Sequence, residues 1–439
     1  MRSYTLHYQH GLSEKQALEW IADNPPATGP GWEPYPLSRR ILNWIKAFEN
    51  PPASITASLA TQADYLARTL EFHLLANHLF VNAVALTAAG CFFKNNNWLR
   101  RGVRILTKEI DEQILSDGGH YERSPMYHAL ILEDLLDLMN LRRSYGPIIP
   151  DWSSVIARML SWHANMTHPD GEISFFNDAA FGVAPAAVLL SNYATELGIQ
   201  PLCVPLGESG YVRLGNAETV LLFDAAPVGP DYQPGHTHAD TLSFELSHRG
   251  RRILVNSGTS TYENNSLRGQ QRGTAAHNTL RIDHSDSSEV WAAFRVGARA
   301  VPFDVRTDHC SWAEASHSGY QPCLHRRRIE LRPDEVVLTD SVHGPGSHSI
   351  EIFFHLHPGI DPECIVLDSK LQSVLNDTEY YPRFDEQLPN QTVQGTAFLD
   401  TSAGVSFTTR ISLNRLHEAE HRSFDKPAVS HNEDLICCG

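Results

Sequence analysis

The run Gly235-His236-Thr237-His238-Ala239-Asp240 places two imidazoles and a carboxylate at every second position. On a strand, alternate residues share a face, so the three side chains would point the same way. Burying them together is costly unless they bind a metal, a substrate or one another. A His-x-His arises readily by chance in a chain with 23 histidines, so the pattern calls for further donors. The segment ILVNSGTSTYE offers Asn256 ahead of a Ser-Gly turn and Tyr262, and RGTAAHNTL offers Arg272 and His277. A tetrahedral zinc site wants histidine nitrogens plus oxygen or sulfur donors from separate strands, and His238, Asn256 and His277 make such a set. A turn-bonding His277 and an Asx-turn at Asn256 account for the same residues without a metal.

Two further clusters lie earlier in the chain. Asn77-His78 sits in LLANHLFVNAVAL, and SDGGHYERSPMYHAL carries Tyr121, Glu122, Tyr127 and His128. Ser124 is placed to cap the helix that follows, with Tyr127 one turn in. A lone helical histidine and a tyrosine at a helix start both suit plain core packing as well as acid–base chemistry.

The elements that must position these residues change period near residue 205. Before it, 36–48, 53–74, 98–115, 126–143 and 152–166 repeat apolar residues at i, i+3, i+4 and i+7, the spacing of amphipathic helices. After it, GYVRL, TVLLFDAA, TLSFELSHRGRRILVNSG, IELRPDEVVLTDSV and SIEIFFHLHP alternate or run in β-branched blocks, with a hairpin turn at His248–Arg251. Helices followed by strands, rather than interleaved with them, predict an α+β chain of two domains, 1–204 helical and 205–439 antiparallel β. A length of 439 residues, 42% hydrophobic and 20% charged, suits a globular protein of that size. The net charge of −16 argues against nucleic acid or anionic membrane as partner. The arginines at 268, 272, 281, 295, 299, 306 and 326–328 leave a local anionic ligand open, or else line solvated strand faces. The apolar stretch VNAVALTAAGCFF falls short of the roughly 20 residues of a membrane span. No leader pattern opens the sequence, which gives a cytoplasmic expectation, with a periplasmic or secreted protein if the N-terminus is truncated. Seven cysteines without regular spacing, two of them adjacent at Cys437 and Cys438, resemble neither a disulfide framework nor a zinc ribbon.

Taken together and in this order, NHLFVNAVAL, DGGHYERSPMYH, GHTHADTLSFEL, VNSGTSTYE and the Arg272…His277-Asn278-Thr279 run resemble the heparinase II/III family of polysaccharide lyases. The resemblance implies an incomplete (α/α) toroid followed by an antiparallel β-sandwich. It also implies β-elimination on a uronic-acid-containing glycan, an anionic poly- or oligosaccharide. Asn77 would hold the C5 carboxylate with His236, His78 or Tyr127 would take the α-proton, and Tyr127 would protonate the leaving oxygen. Glu122, Arg272 and Tyr262 would contact substrate. The family's structural zinc would map to His238, Asn256 and His277, although the family's middle ligand is Asp where this chain has Asn. Two alternatives stand beside this reading: a glycan-binding or exopolysaccharide-assembly protein of the same fold with little turnover, and a metal-dependent hydrolase using His236, His238, Asp240 and His277.

Overall fold

The protein is described by a computed structural model covering residues 5–415; Cys437 and Cys438 lie outside the described residues. The helices are α1 (Glu14–Asp23), α2 (Pro34–Ala47), α3 (Ala53–Arg68), α4 (Ala76–Phe92), α5 (Asn96–Gln113), α6 (Pro125–Tyr145), α7 (Ser153–Asn165), α8 (Ala187–Glu196) and a short α9 (Ser266–Arg272). Strands begin only at Tyr211, as the change of period requires. The chain forms two compact units, and they interleave in sequence. The first gathers residues up to Leu115 with Leu130–Ala157 and Asn192–Gln200, and the second takes Ser116–Ala129, Arg158–Ser191 and the chain from Pro201.

In the first unit α4 is buried all round except at His78 and Phe92. That is the pattern of a helix enclosed by others rather than lying on a surface. Its fit against α5 depends on two missing side chains. A Cβ at Gly90 would fall 2.5 Å from the Leu99 nitrogen, and one at Gly102 would fall 2.3 Å from Thr87 Oγ1 and 2.8 Å from the Ala83 carbonyl. The two helices therefore approach backbone to backbone, which fixes the height of the first turn of α4, where Asn77 and His78 sit.

The second unit is built on antiparallel sheets. One has the order β1 (Tyr211–Gly215), β2 (Thr219–Asp224), β3 (Phe244–His248), β4 (Arg251–Leu254). A six-stranded sheet runs β13 (Ile365–Val366), β16 (Val405–Ser412), β11 (Glu335–His343), β10 (Cys323–Leu331), β9 (Trp312–Tyr320), β8 (Pro302–Thr307). A third runs β14 (Gln372–Tyr380), β15 (Leu388–Asp400), β12 (Ser347–His355), β5 (Leu280–Ile282), and β6 (Val290–Trp291) pairs only with β7 (Arg295–Val296). Leu221, Phe244, Ile253, Leu280, Ile329, Leu338, Ile352 and Phe407 meet in one apolar core fed by the three larger sheets. A second core joins Trp162, Met166 and Phe176, from the helical part of the sequence, to Tyr211, Val220 and Leu222 of β1 and β2. The turn at His248–Arg251 forms as expected, with Arg249 and Gly250 both at positive φ, as a tight two-residue hairpin demands.

Candidate active site

The second unit assembles its functional residues from four pieces of chain: the segment entering α6, the Asn177-Asp178 turn, the loop from Tyr232 to Ser243, and the stretch 256–279 that carries Tyr262, Arg268 and His277. Ser124 caps α6, its hydroxyl accepting from the Tyr127 amide at 3.2 Å. This orients the first turn and the phenol it carries. His236–Asp240 is a loop and not the strand that the alternation suggests. Its amides bond across to other segments instead of along a ladder. The His238 N–H donates to Asn177 Oδ1 at 3.1 Å and the Ala239 N–H to the Arg272 carbonyl at 2.8 Å. As a result the two histidines diverge.

His236 lies on Tyr127, ring centroids 3.9 Å apart and planes 17° from parallel. Its Nδ1 is paired with the buried Glu122 carboxylate, which leaves Nε2 as the free end of the ring. The Tyr127 hydroxyl is 3.0 Å from that of Tyr262. Beneath them Arg268, fully buried, reaches Asp178 with both terminal nitrogens, and its guanidinium carbon is 5.1 Å from the Tyr262 ring centre. Burial pushes the Asp178 carboxyl up, but the Arg268 charge and hydrogen bonds from His238 and Arg268 outweigh it and hold it well below the usual carboxylate range. Backbone strain gathers at the same place: Arg123 and Asn177, both at positive φ, are linked by an Asn177 Nδ2–Arg123 carbonyl bond of 3.1 Å. Arg272, expected at the substrate, is fully buried instead, and its donors go to the backbone carbonyls of Thr237, Trp291, Ala292 and Arg295.

His238 turns the other way. Its Nε2 pairs with Asp178 Oδ1 at 2.8 Å, while Nδ1 has no hydrogen-bond partner. His277 is buried with both ring nitrogens unpartnered, the Gln271 backbone lying near but outside hydrogen-bonding geometry. Ligand atoms of His238, His277 and Asp240 all lie within 4.8 Å of one another. Asn256, the expected middle ligand, is committed elsewhere. Its Nδ2 donates to the Phe175 carbonyl at 2.7 Å and its Oδ1 accepts from the Asn278 amide at 3.4 Å. The carboxylate that meets the histidines is Asp240, two residues past His238.

In the first unit, His78 is about one-third exposed and its Nδ1 is 3.1 Å from Glu71 Oε1. Glu71 Oε2 accepts from Asn82 at 3.0 Å and the Glu71 amide donates back to Asn82 Oδ1. Asn77 is buried one residue before His78, and Leu75 and Ala76 just ahead of it both have positive φ. Glu71 and Asp178 were not picked out by sequence reasoning, and Arg268 stood there only among the arginines of a possible anionic ligand site or solvated strand faces. A signal existed for Asp178, since Asn177-Asp178 interrupts an apolar run in ISFFNDAAF and a polar pair in such a run needs a partner.

A buried histidine cluster lies behind α6. His128 stacks on His163 at 5.6 Å, and neither nitrogen of His163 has a hydrogen-bond partner. Burial pulls His120, His163 and His355 down to about 4. An unfolded chain takes up a proton near pH 6.5 that the folded state refuses until about pH 4. Each such histidine thus withdraws stability as pH falls through that window, by up to about 3 kcal/mol. Asp224 and Asp240, both raised chiefly by burial, act in the opposite sense. Comparing His163→Phe with the wild type isolates the histidine: the variant is expected to lose less thermal stability between pH 7 and pH 5. Parallel melting curves across that range would show the assignment to be wrong.

The helical part followed by antiparallel sheets is the fold of solved polysaccharide-lyase structures. A crystal structure of heparinase III matches with a TM-score of 0.75 at 22% identity, over 91% of this chain and 72% of that one. The chain belongs to the heparinase II/III family: the pattern "Heparinase II/III N-terminus" matches residues 14–201 and "Heparinase II/III-like, C-terminal" matches 201–418. A heparin-sulfate lyase of Bacteroides thetaiotaomicron is 26% identical over 81% of this chain, which spans 58% of that protein's length. The FtsZ-localized protein C of Caulobacter vibrioides is 25% identical over 74% of this chain and 62% of its own.

Proposed function

We propose that the protein is a polysaccharide lyase that cleaves a uronic-acid-containing glycan by β-elimination. The observation that carries this is the packing of Tyr127 against His236, with the Tyr262 hydroxyl at 3.0 Å and Glu122 on the far side of the imidazole. The stacked imidazole fixes the Tyr127 ring, and the Tyr262 hydroxyl at hydrogen-bond distance gives the phenol a route for giving and taking a proton, which is what elimination demands of its acid and base. In this reading Tyr127 protonates the leaving O4 oxygen, and His78 or Tyr127 removes the C5 proton. Asn77 and His236 neutralise the carboxylate so that charge building on it is stabilised. Glu71 holds the Nδ1 proton of His78 and so directs Nε2 outward as a base. Glu122 fixes the His236 ring through Nδ1 and so turns Nε2 outward, where it would donate to the substrate carboxylate. The names of the lyase relatives support the substrate class. Incubation with heparan sulfate, hyaluronan, alginate and bacterial exopolysaccharides, read by ultraviolet absorbance of the 4,5-unsaturated uronate, tests the proposal; silence across the panel from folded protein overturns it.

The family's zinc suits the residues present, with Asp240 in place of Asn256. Three unpartnered or acidic donors converge in a buried place, and Asp178 on the far nitrogen of His238 is the partner a metal-bound imidazole usually has. Bound there, zinc would cross-link the loop carrying His236 to the segment carrying His277, a structural rather than hydrolytic role. The purified protein is then expected to keep about one zinc per chain through dialysis, measured by elemental analysis. Asp240→Asn should lose it and Asn256→Ala should keep it; the reverse pattern, or a wild type that takes up no zinc, removes the assignment.

A second reading, a glycan-binding or assembly-associated role with little turnover, is kept because one similar protein is named for its localization with FtsZ and not for a lyase activity. Glycan binding that survives Tyr127→Phe, with no unsaturated product before or after the change, would select it.

A further inference from the structure

The tip of the β6–β7 hairpin is exposed, apolar and rigidly held. Trp291 is 56% exposed and Phe294 43%. An isolated two-stranded hairpin has little stability of its own, yet this one is fastened from below by two buried guanidinium groups. Arg272 donates to the carbonyls of Trp291, Ala292 and Arg295, and Arg268 Nε donates to that of Ala293 at 3.0 Å. Four of the five carbonyls from Trp291 to Arg295, all but that of Phe294, are thus fixed by side chains that reach no solvent. Phe294 stands edge-on to His236 at 6.1 Å and 5.4 Å from Tyr262. Tyr232, four residues before His236 in the chain, is 49% exposed and packs at 6.2 Å on Tyr121, in a loop tied down by Arg299 through the carbonyls of Pro230 and Asp231.

Exposed aromatic side chains are tolerated singly, but a rigid group beside a reactive centre has a ligand to meet. Apolar faces with a nearby cation suit one class above others: a pyranose ring, which offers C–H bonds on its face and hydroxyl or carboxylate groups at its edge. Arg295, exposed and paired across the hairpin with Trp291, supplies the cation. We infer that Trp291 and Phe294 form a sugar-stacking subsite adjoining Tyr127 and His236. It holds a monosaccharide unit neighbouring the one that reacts. This rests on the lyase reading for the identity of the ligand and not for the existence of the platform.

The experiment is calorimetric titration of the full chain with heparan-sulfate oligosaccharides of two and six sugars, on wild type, Trp291→Ala, Trp291→Phe and Phe294→Leu. Binding of the hexasaccharide should weaken about tenfold in Trp291→Ala and Phe294→Leu, and recover in Trp291→Phe. The disaccharide should be affected much less. In turnover, Trp291→Ala should raise KM with kcat little changed, and its melting temperature should match the wild type because the side chain is exposed. Equal hexasaccharide affinity in all four proteins, or no binding by the wild type, overturns the subsite. Cleavage that persists with unchanged affinities sinks the platform alone; binding lost in the variants without any cleavage sinks the lyase reading alone.

Discussion

Tyr127→Phe is expected to lower formation of unsaturated product by roughly 100- to 10,000-fold, the range that a positioned proton donor contributes. The variant keeps the ring that stacks on His236 and loses only the hydroxyl facing Tyr262. The fold should therefore be unaffected, and thermal melting should coincide with wild type. Tyr262→Phe removes the other member of the pair and is expected to cost less, because Tyr127 retains its own proton. The measurement is initial rate by ultraviolet absorbance on the best substrate of the panel. A Tyr127→Phe enzyme within threefold of wild type would take the acid role away from this residue.

The largest expected effect on stability is at Asp178. Its carboxylate is wholly buried and joins Arg268 to His238, so Asp178→Ala leaves a guanidinium uncompensated in the interior. Breaking one side of such a pair typically costs about 3–5 kcal/mol. Denaturant unfolding should show that loss, and the double change Asp178→Ala with Arg268→Met should restore part of it, since no charge is then stranded. A single-variant loss under 1 kcal/mol would mean that the pair is not the brace inferred. The sign with pH is distinct from that of the histidine cluster. Asp178 is held below its unfolded value, so its contribution is complete above about pH 4 and fades only as pH falls further towards the folded value. Between pH 7 and 5 the wild type should soften through its histidines while the Asp178 contribution stays constant.

The sequence was most legible where structure is local. The helical periods, the Ser124 cap and the His248–Arg251 hairpin depend on residues a few positions apart, and each forms. The helix expected over 53–74 stops at Arg68, because α4 must start afresh across the turn that brings Glu71 to His78. The site was legible in its residue types and less so in its partnerships. Alternation in GHTHADTLSFEL suggested a strand with a common face, but Asn177 and Arg272, 61 and 33 positions away from their partners His238 and Ala239, captured the amides. The arginines invited either substrate contact or solvated faces. Arg268 and Arg272 took a third course, burial against carbonyls and one carboxylate, and no spacing in sequence reports that. Asp240 stood among the donors of the hydrolase alternative, but its place beside His238 and His277 where Asn256 was expected was not legible, since which side chain reaches two histidines depends on loop path.

The interleaving of the two units has a consequence for how the chain is made. Glu122 and His236, 114 positions apart, belong to the same compact unit, as do Ser124 and Asp178. At ordinary translation speeds of about 5–20 residues per second, the helix-entry segment must wait roughly 6–23 seconds for the loop that will cover it. Until then its buried carboxylate and histidines lack the groups that complete them. A C-terminal fragment cut at residue 201, where the two family patterns meet, would carry His236, Tyr262 and Arg268 without Tyr127, Glu122 or Asp178. The β-rich half is thus not a portable module: it inherits part of its interior from the sequence that precedes it.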